Sequence, residues 1–249
     1  MAVLISMQKV FLNGDFIDKD SAKISIFDRG FIFGDGIYEV VPVINGVMVE
    51  KQGFWDRFKR SLSEIDLTLP YSKDEFENIL NELIKINSLN EGGIYIQITR
   101  GIAQRDFSFV SGITPTVMAF AFSDSVLEHP GAKSGITIIS TPDIRWKRRD
   151  IKSISLLGQC YAKNQATIAG ADECFMVEDG YVTEAGSSSA FIIKDGALIT
   201  KPLSNEILPG IRRQRLLNLA KEIGLKIEER KFSMDEVYNA DECFISAAT

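Results

Sequence analysis

The chain holds 249 residues, 45% of them apolar, with 28 basic against 34 acidic side chains and a net charge of −6. That length supports two cores, since domains run to about 100–150 residues. Both signs of charge are interspersed, and the densest basic run, Lys147-Arg148-Arg149, is too short for a phosphate-backbone footprint, which excludes nucleic acid as the expected partner.

Val10-Phe11-Leu12 reads as a first strand, and Ile37–Ile44, Asn45-Gly46 and Val47–Glu50 read as a hairpin with a type I′ turn. Phe54, Phe58, Leu62 and Ile65 recur at helical spacing, and Ser72-Lys73-Asp74-Glu75 is a capping box that opens a second helix carrying Phe76, Ile79, Leu80 and Leu83. Strands return at Gly93–Arg100 and Thr116–Phe122. A polar stretch with Pro130 and Gly131 then separates two regions, giving domains 1–123 and 135–249 with a linker at 124–134. The second region offers a strand at Ile136–Ser140, a helix around Tyr161–Ala169 and hairpins turning at Asp179-Gly180 and Asp195-Gly196. An amphipathic helix follows over Ile211–Ile223, then a short helix capped by Ser233, then a strand at Glu242–Ser246. The expected class is α+β, with two domains whose sheets are mostly antiparallel.

Cys160, Cys174 and Cys243 lie far apart, without zinc or disulfide spacing, and read as reduced, mostly buried thiols. His129 is the single histidine and sits in a Pro/Gly turn, which weakens Ser-His-Asp, Cys-His and histidine-metal chemistry alike. Acid and base work is left to Lys, Glu, Asp or Tyr. The apolar opening Met1–Met7 is short and lacks a basic leader, and no apolar run approaches the roughly 20 residues of a membrane span, so a cytoplasmic protein without a membrane partner is expected.

Five segments carry the functional signal: Phe33-Gly34-Asp35-Gly36-Ile37-Tyr38-Glu39, Asp56-Arg57-Phe58, Asp150-Ile151-Lys152-Ser153, Val182-Thr183-Glu184 and Ile207-Leu208-Pro209-Gly210-Ile211-Arg212-Arg213. In this order the chain resembles, over nearly its whole length, the fold-type IV pyridoxal-phosphate enzymes, which include D-amino-acid and branched-chain aminotransferases and aminodeoxychorismate lyase. The resemblance implies pyridoxal 5′-phosphate as cofactor and a homodimer. It makes Lys152 the Schiff-base lysine, which also moves the proton between Cα and C4′. It pairs Glu184 with the pyridine nitrogen and directs Arg57, near the N-terminal part of its helix, at the phosphate. Ser187 and Ser188 line the ring and phosphate, and backbone N–H groups at Ile211 and Arg212 meet the phosphate at a helix start. Ala248 and Thr249 belong to the other phosphate strand.

This chain departs from the family at three places. Arg212 and Ala248 stand where a threonine is common, with Thr249 a neighbouring hydroxyl, and Phe107 stands where D-specific members carry a histidine. Gly34-Asp35-Gly36 does not start a dinucleotide fingerprint, because an apolar strand follows and the third glycine is missing. Gly186-Ser187-Ser188-Ser189-Ala190 is not a nucleophile elbow, because it lacks the closing glycine.

Within the family, Tyr95-Ile96-Gln97-Ile98-Thr99-Arg100-Gly101 followed by Arg105 looks most like D-amino-acid aminotransferases, where the arginine binds the substrate carboxylate. Tyr38, Tyr95 and Phe107 complete that substrate wall, and Asp106 is a rival partner for Arg105. The expected reaction is transamination between a D-amino acid, such as D-alanine or D-glutamate, and a 2-oxo acid. Branched-chain L-aminotransferase and aminodeoxychorismate lyase activities are alternatives on the same lysine. An inactive cofactor-binding scaffold is a third reading, because family members continue past the strand at Glu242–Thr249 with a hairpin and a helix.

Overall fold

A computed structural model of the protein describes residues 9–129 and 131–248. Among these the chain divides into two compact units, one holding 9–129 with Lys152–Ser155 and the other holding 131–151 with 156–248.

The first unit runs β1 (Lys9–Leu12), β2 (Asp15–Asp18), α1 (Arg29–Phe33), β3 (Gly36–Ile44), β4 (Val47–Met48), α2 (Lys51–Ser63), α3 (Lys73–Ile86), β5 (Glu91–Thr99) and β6 (Thr116–Ser123). One antiparallel sheet joins the strands in the order β2-β1-β6-β5-β3-β4. Strand alternation sorts its side chains. Ile37, Val41 and Val43 of β3 are buried with Ile94, Ile96 and Ile98 of β5, in a core with Phe54 and Phe58 of α2 and Phe76 and Leu80 of α3. The intervening positions put Tyr38 opposite Gln97 and Tyr95 opposite Phe120 on the other face.

Local chemistry explains the turns. Asn45 and Gly46 both adopt positive φ, 53° and 73°, as a type I′ hairpin requires. The strand expected over Val47–Glu50 ends at Met48, because Glu50 turns left-handed at φ 56° and opens α2. Ile65 lies beyond α2, which stops at Ser63, so the helical spacing there ran one step past the helix. The Ser72–Glu75 capping box forms in both directions. The hairpin β1–β2, turning at Asn13 and Gly14, and the short helix α1 were not anticipated.

The second unit runs α4 (Gly131–Ser134), β7 (Ile138–Pro142), α5 (Leu157–Ile168), β8 (Glu173–Glu178), β9 (Tyr181–Ala185), β10 (Ser189–Lys194), β11 (Ala197–Thr200), α6 (Ile211–Glu222), β12 (Lys226–Glu229), α7 (Met234–Tyr238) and β13 (Glu242–Ser246). Two sheets form, β7-β8-β9 and β12-β11-β10-β13. The pairs β7–β8 and β11–β12 are parallel, unlike the rest. Each parallel pair is joined through a helix, α5 or α6, because parallel neighbours need a crossover. Asp179-Gly180 and Asp195-Gly196 turn with positive φ at both residues. Phe175, Val182, Ile192, Ile199 and Phe232 form the main core. Of the thiols expected to be mostly buried, Cys174 is, whereas Cys160 and Cys243 are exposed; all are free.

Candidate active site

In the first unit the Lys152–Ser155 strip is laid along β3. Tyr38 N–H donates to the Lys152 carbonyl at 2.9 Å, Ile154 N–H donates to the Gly36 carbonyl at 3.1 Å, and Ser153 bridges Ile37. Gly36 makes this possible, since a Cβ there would meet the Ile98 carbonyl at 2.4 Å and Ile154 Cδ1 at 3.0 Å. Lys152 N–H also donates to Ser61 Oγ of α2 at 3.2 Å. The backbone is thus fixed from two sides, and Lys152 Nζ stands 4.3 Å from the centre of the Tyr38 ring.

Tyr38 stacks on Tyr95 at 5.5 Å, and Tyr95 stacks on Phe120 at 4.9 Å. The Tyr95 hydroxyl donates to Gln97 Oε1 at 2.8 Å. Burial, with Tyr38 beside it, pushes the Tyr95 phenol up from its ordinary range, so it stays a neutral donor. The two rings expected as a wall are therefore one stack next to the lysine.

Arg57 lies midway along α2, not near its start, and is buried. Its Nε and Nη2 donate to the two oxygens of buried Glu39 of β3, each at 2.7 Å. A bidentate pair fixes the guanidinium plane. In the sequence Glu39 stood only as the last residue of the Phe33–Glu39 segment, with no role of its own, because its partner Arg57 is 18 residues away.

Charge in the second unit is concentrated around Glu184. The bland expectation for a strand-end carboxylate is exposure, but Glu184 is 5% exposed. Arg145 Nη1 donates to Glu184 Oε2 at 2.6 Å, and Leu208 N–H donates to Oε1 at 3.1 Å. Burial pushes the Glu184 carboxyl up, with Arg145 and the Leu208 N–H working against it. Behind Arg145 stands Asp143, which accepts from Arg145 Nε and Nη2 at 3.0 and 2.7 Å and from the Thr183 hydroxyl at 2.6 Å. Burial works to raise Asp143, but these donors win and hold its carboxyl below the usual range. Arg149 closes the row, 3.2 Å from Asp143 and 2.6 Å from Glu178. No sequence signal marked Arg145, since its partner Glu184 lies two strands away.

Gly210 caps α6 in extended backbone, with no side-chain cap and no acidic residue in the first turn. The helix start at Ile211 and Arg212 is therefore not neutralised by a carboxylate of its own. A Cβ on Gly210 would lie 2.8 Å from Ser189 Oγ. Ser189 pairs with Ser246, whose buried Oγ has no hydrogen-bond partner among the described residues. Ser188 is buried, Ser187 is exposed and Ala248 is half-buried; Thr249 lies outside the described residues.

Arg105 and Phe107 sit on the loop between β5 and β6. The Arg105 guanidinium lies 5.8 Å from the Phe33 ring and 5.1 Å from the Phe107 ring. Asp106 is not the partner it was weighed to be: its carboxylate accepts from Ser108 N–H at 2.7 Å. Two further lysines of the second unit are paired with carboxylates, Lys147 with Glu178 and Lys163 with Glu173. Among the described residues no group of His, Cys, Asp and Glu could hold a metal ion, and no helix is long and apolar enough to cross a membrane.

These residues fit pyridoxal 5′-phosphate. In the first unit the fit rests on a lysine amine beside an aromatic stack; in the second it rests on a buried carboxylate and an acid-free helix start beside Ser189, whose strand neighbour Ser246 has a buried hydroxyl without a hydrogen-bond partner among the described residues. A family model described as amino-transferase class IV matches residues 36–249. D-alanine aminotransferase of Staphylococcus haemolyticus is 41% identical over 244 residues, covering 98% of this chain and 86% of that protein. D-alanine aminotransferase of Bacillus licheniformis is 39% identical over 241 residues, covering 97% and 85%. The fold is similar to that of Escherichia coli branched-chain amino acid aminotransferase, with a TM-score of 0.90 at 23% identity, covering 97% of this chain and 83% of that one. The Lys152 strip, the Glu184 pair and the family match agree: the chain belongs to the class IV aminotransferases, enzymes of the α+β fold-type IV that use pyridoxal 5′-phosphate.

Proposed function

We propose that the protein transfers the amino group of a D-amino acid, D-alanine or D-glutamate, to a 2-oxo acid by a ping-pong route, as a homodimer in the cytoplasm. The observation that carries the reading is Lys152 Nζ held 4.3 Å from the Tyr38 ring, in a chain about 40% identical to D-alanine aminotransferases. When bound, the cofactor supplies an aldehyde carbon that joins the amino group and a ring that accepts the electron pair of the broken Cα–H bond.

The chain's own residues do the rest. Lys152 would hold the cofactor at its aldehyde carbon and, once the substrate's amino group displaces it there, its freed amine would take the proton from the substrate's Cα. Glu184 would face the ring nitrogen, and Arg145, donating to it at 2.6 Å, works against the burial that raises its carboxyl. Arg57, Ser187, Ser188, Ala248, Thr249 and the backbone of Ile211 and Arg212 hold the phosphate end. Arg105 takes the substrate carboxylate, with Tyr38, Tyr95 and Phe107 around it, and so selects which face of Cα meets Lys152. Exposed Ile26, Phe27 and Phe31 of the first unit support association with a second copy.

Half-reaction absorbance with the holoenzyme tests the substrate. D-Alanine should convert the visible cofactor band within seconds, and L-leucine should leave it nearly unchanged. Fast conversion by L-leucine with an inert D-alanine mixture would sink the D-specific reading in favour of a branched-chain one.

A further inference from the structure

The loop that carries Arg105 is tied down at two levels. Its neck is closed by backbone. Gly101 at φ +100° comes so close to the strand's return that a Cβ would lie 2.1 Å from the Thr114 carbonyl. Arg29 N–H donates to the Gly101 carbonyl at 2.9 Å, Ala103 N–H donates to the Phe27 carbonyl at 3.3 Å, and Asp28 bridges Ile102. Asp28 is fully buried; it caps α1 through Gly30 N–H at 2.8 Å and accepts the Thr116 hydroxyl at 2.6 Å.

The tip is held by charge. Arg29, 2% exposed, donates from Nη1 to the Asp106 carbonyl at 2.6 Å, one residue from Arg105. Arg100 places its guanidinium 3.8 Å from the centre of the Phe109 ring. A single oxygen, Asp35 Oδ2, accepts from both arginines, from Arg29 Nε at 2.7 Å and from Arg100 Nε at 2.8 Å. Arg100 also donates to the Ile65 and Asp66 carbonyls at 2.6 and 3.0 Å, which anchors the cluster to the turn after α2. Arg29 and Arg105 approach the same ring, Phe33, at 4.8 and 5.8 Å.

Burying two cations on one carboxylate is a poor way to close a corner, because apolar side chains would do it at lower desolvation cost. What the charges add is direction, since a planar guanidinium fixed at one end delivers its other N–H groups to a set position. We propose that Asp35, Arg29 and Arg100 form a bracket whose role is to position the Arg105 loop, so that the substrate carboxylate is met by a preset guanidinium. Asp35 holds both arginines, Arg29 fixes the peptide beside Arg105, and Arg100 fixes Phe109. The three are positioning residues. The proposal rests on the reading of Arg105 as the carboxylate clamp.

Steady-state kinetics of the holoenzyme with D-alanine and 2-oxoglutarate, in a double-mutant cycle, test it. Arg105→Ala should raise KM by about 100-fold, the worth of a charged hydrogen-bond pair. Arg29→Lys, which cannot reach Asp35 and Asp106 together, should raise KM by about tenfold and leave kcat within about twofold. Added to Arg105→Ala it should raise KM no further. Amide hydrogen exchange of the Arg29→Lys holoenzyme should quicken over 102–110 and stay unchanged in α2 and α3. If Arg29→Lys does not fold, Phe109→Ala removes an exposed ring and should raise KM about threefold with the same coupling. An unchanged KM, a loss confined to kcat, or an equal effect in the Arg105→Ala background overturns the bracket while leaving the clamp intact. A wild-type KM in Arg105→Ala itself overturns the clamp, and the bracket with it.

Discussion

Two regions of this molecule are proposed to carry its chemistry, and they are built on opposite plans. Around Glu184 the charges are answered and mostly buried: Arg145, Asp143 and Arg149 alternate in sign along one row that ends at half-buried Glu178. Around Arg105 the loop is exposed, and the guanidinium has aromatic rings for neighbours. A buried alternating row can occupy only one arrangement, because displacing any member strands a charge in low dielectric. On the bracketed Arg105 loop the backbone is fixed, and only the exposed guanidinium tip, set against rings, keeps freedom to adjust. The difference suits a cofactor that is always the same and substrates that change between half-reactions.

The largest effect should come from Lys152→Ala, which removes the only amine beside the Tyr38 stack among the described residues. Loss of the base should lower transaminase turnover by about 10³–10⁴-fold. The visible absorbance of the purified variant should lose its borohydride-sensitive band. A variant that keeps the band and its sensitivity would falsify the assignment of that lysine.

Glu184→Gln comes next, with a fall in kcat of about 10²–10³-fold, the range for removing one preorganised electrostatic group. Because the amide keeps the shape and can still accept from Leu208 N–H, the fold should survive. Equal turnover of wild type and variant would show that the buried carboxylate serves the Arg145 row alone.

How much of this was legible in the sequence follows from the range of each interaction. Ser72 and Glu75, or Asp195 and Gly196, settle their own conformations within a few residues, and both were readable. The bond from Arg145 to Glu184 spans 39 residues and that from Arg100 to Asp35 spans 65, so neither arginine differs in the sequence from a solvated one. Motif resemblance singled out Lys152 and Glu184 as candidates, yet it could not say that Arg57 is already engaged by Glu39, because that pairing depends on β3 facing α2. The parallel pairs hid for the same reason: periodicity marks a strand but not its neighbour's direction.

The buried row also predicts a pH dependence, of intermediate size. Asp143 has a folded-state value below its unfolded one, so the stability it contributes is present above the ordinary carboxylate range and is lost as pH falls through the lowered value. Glu184 has the reverse sign: burial raises it, so its contribution is a cost that sets in above the ordinary value and is complete once pH passes the raised one. Asp143→Asn should therefore lower stability by about 1.5–3 kcal/mol at neutral pH, through weakened bonds to Arg145 and Arg149. It should also flatten the acid side of a Tm-against-pH curve. A variant whose acid limb matches that of wild type would place the acid sensitivity elsewhere.

Phe107→His is the finest probe of the contrast, because it alters the adaptable region without touching the buried row. Phe107 is 77% exposed, so the change should leave stability within about 0.5 kcal/mol. Two effects then oppose each other at Arg105. Losing the Phe107 ring, 5.1 Å from the guanidinium, removes an exposed cation–π contact of about 0.5–1 kcal/mol. Gaining an N–H donor toward a bound carboxylate adds about 1.5–3 kcal/mol when the imidazole is charged and about 0.5–1.5 when it is neutral. The donor should prevail at pH 6, lowering KM for D-alanine by roughly three- to tenfold, and the two should nearly cancel at pH 8. An equal KM at both pH values would mean that residue 107 does not face the substrate carboxylate, and the aromatic collar around Arg105 would then be structural.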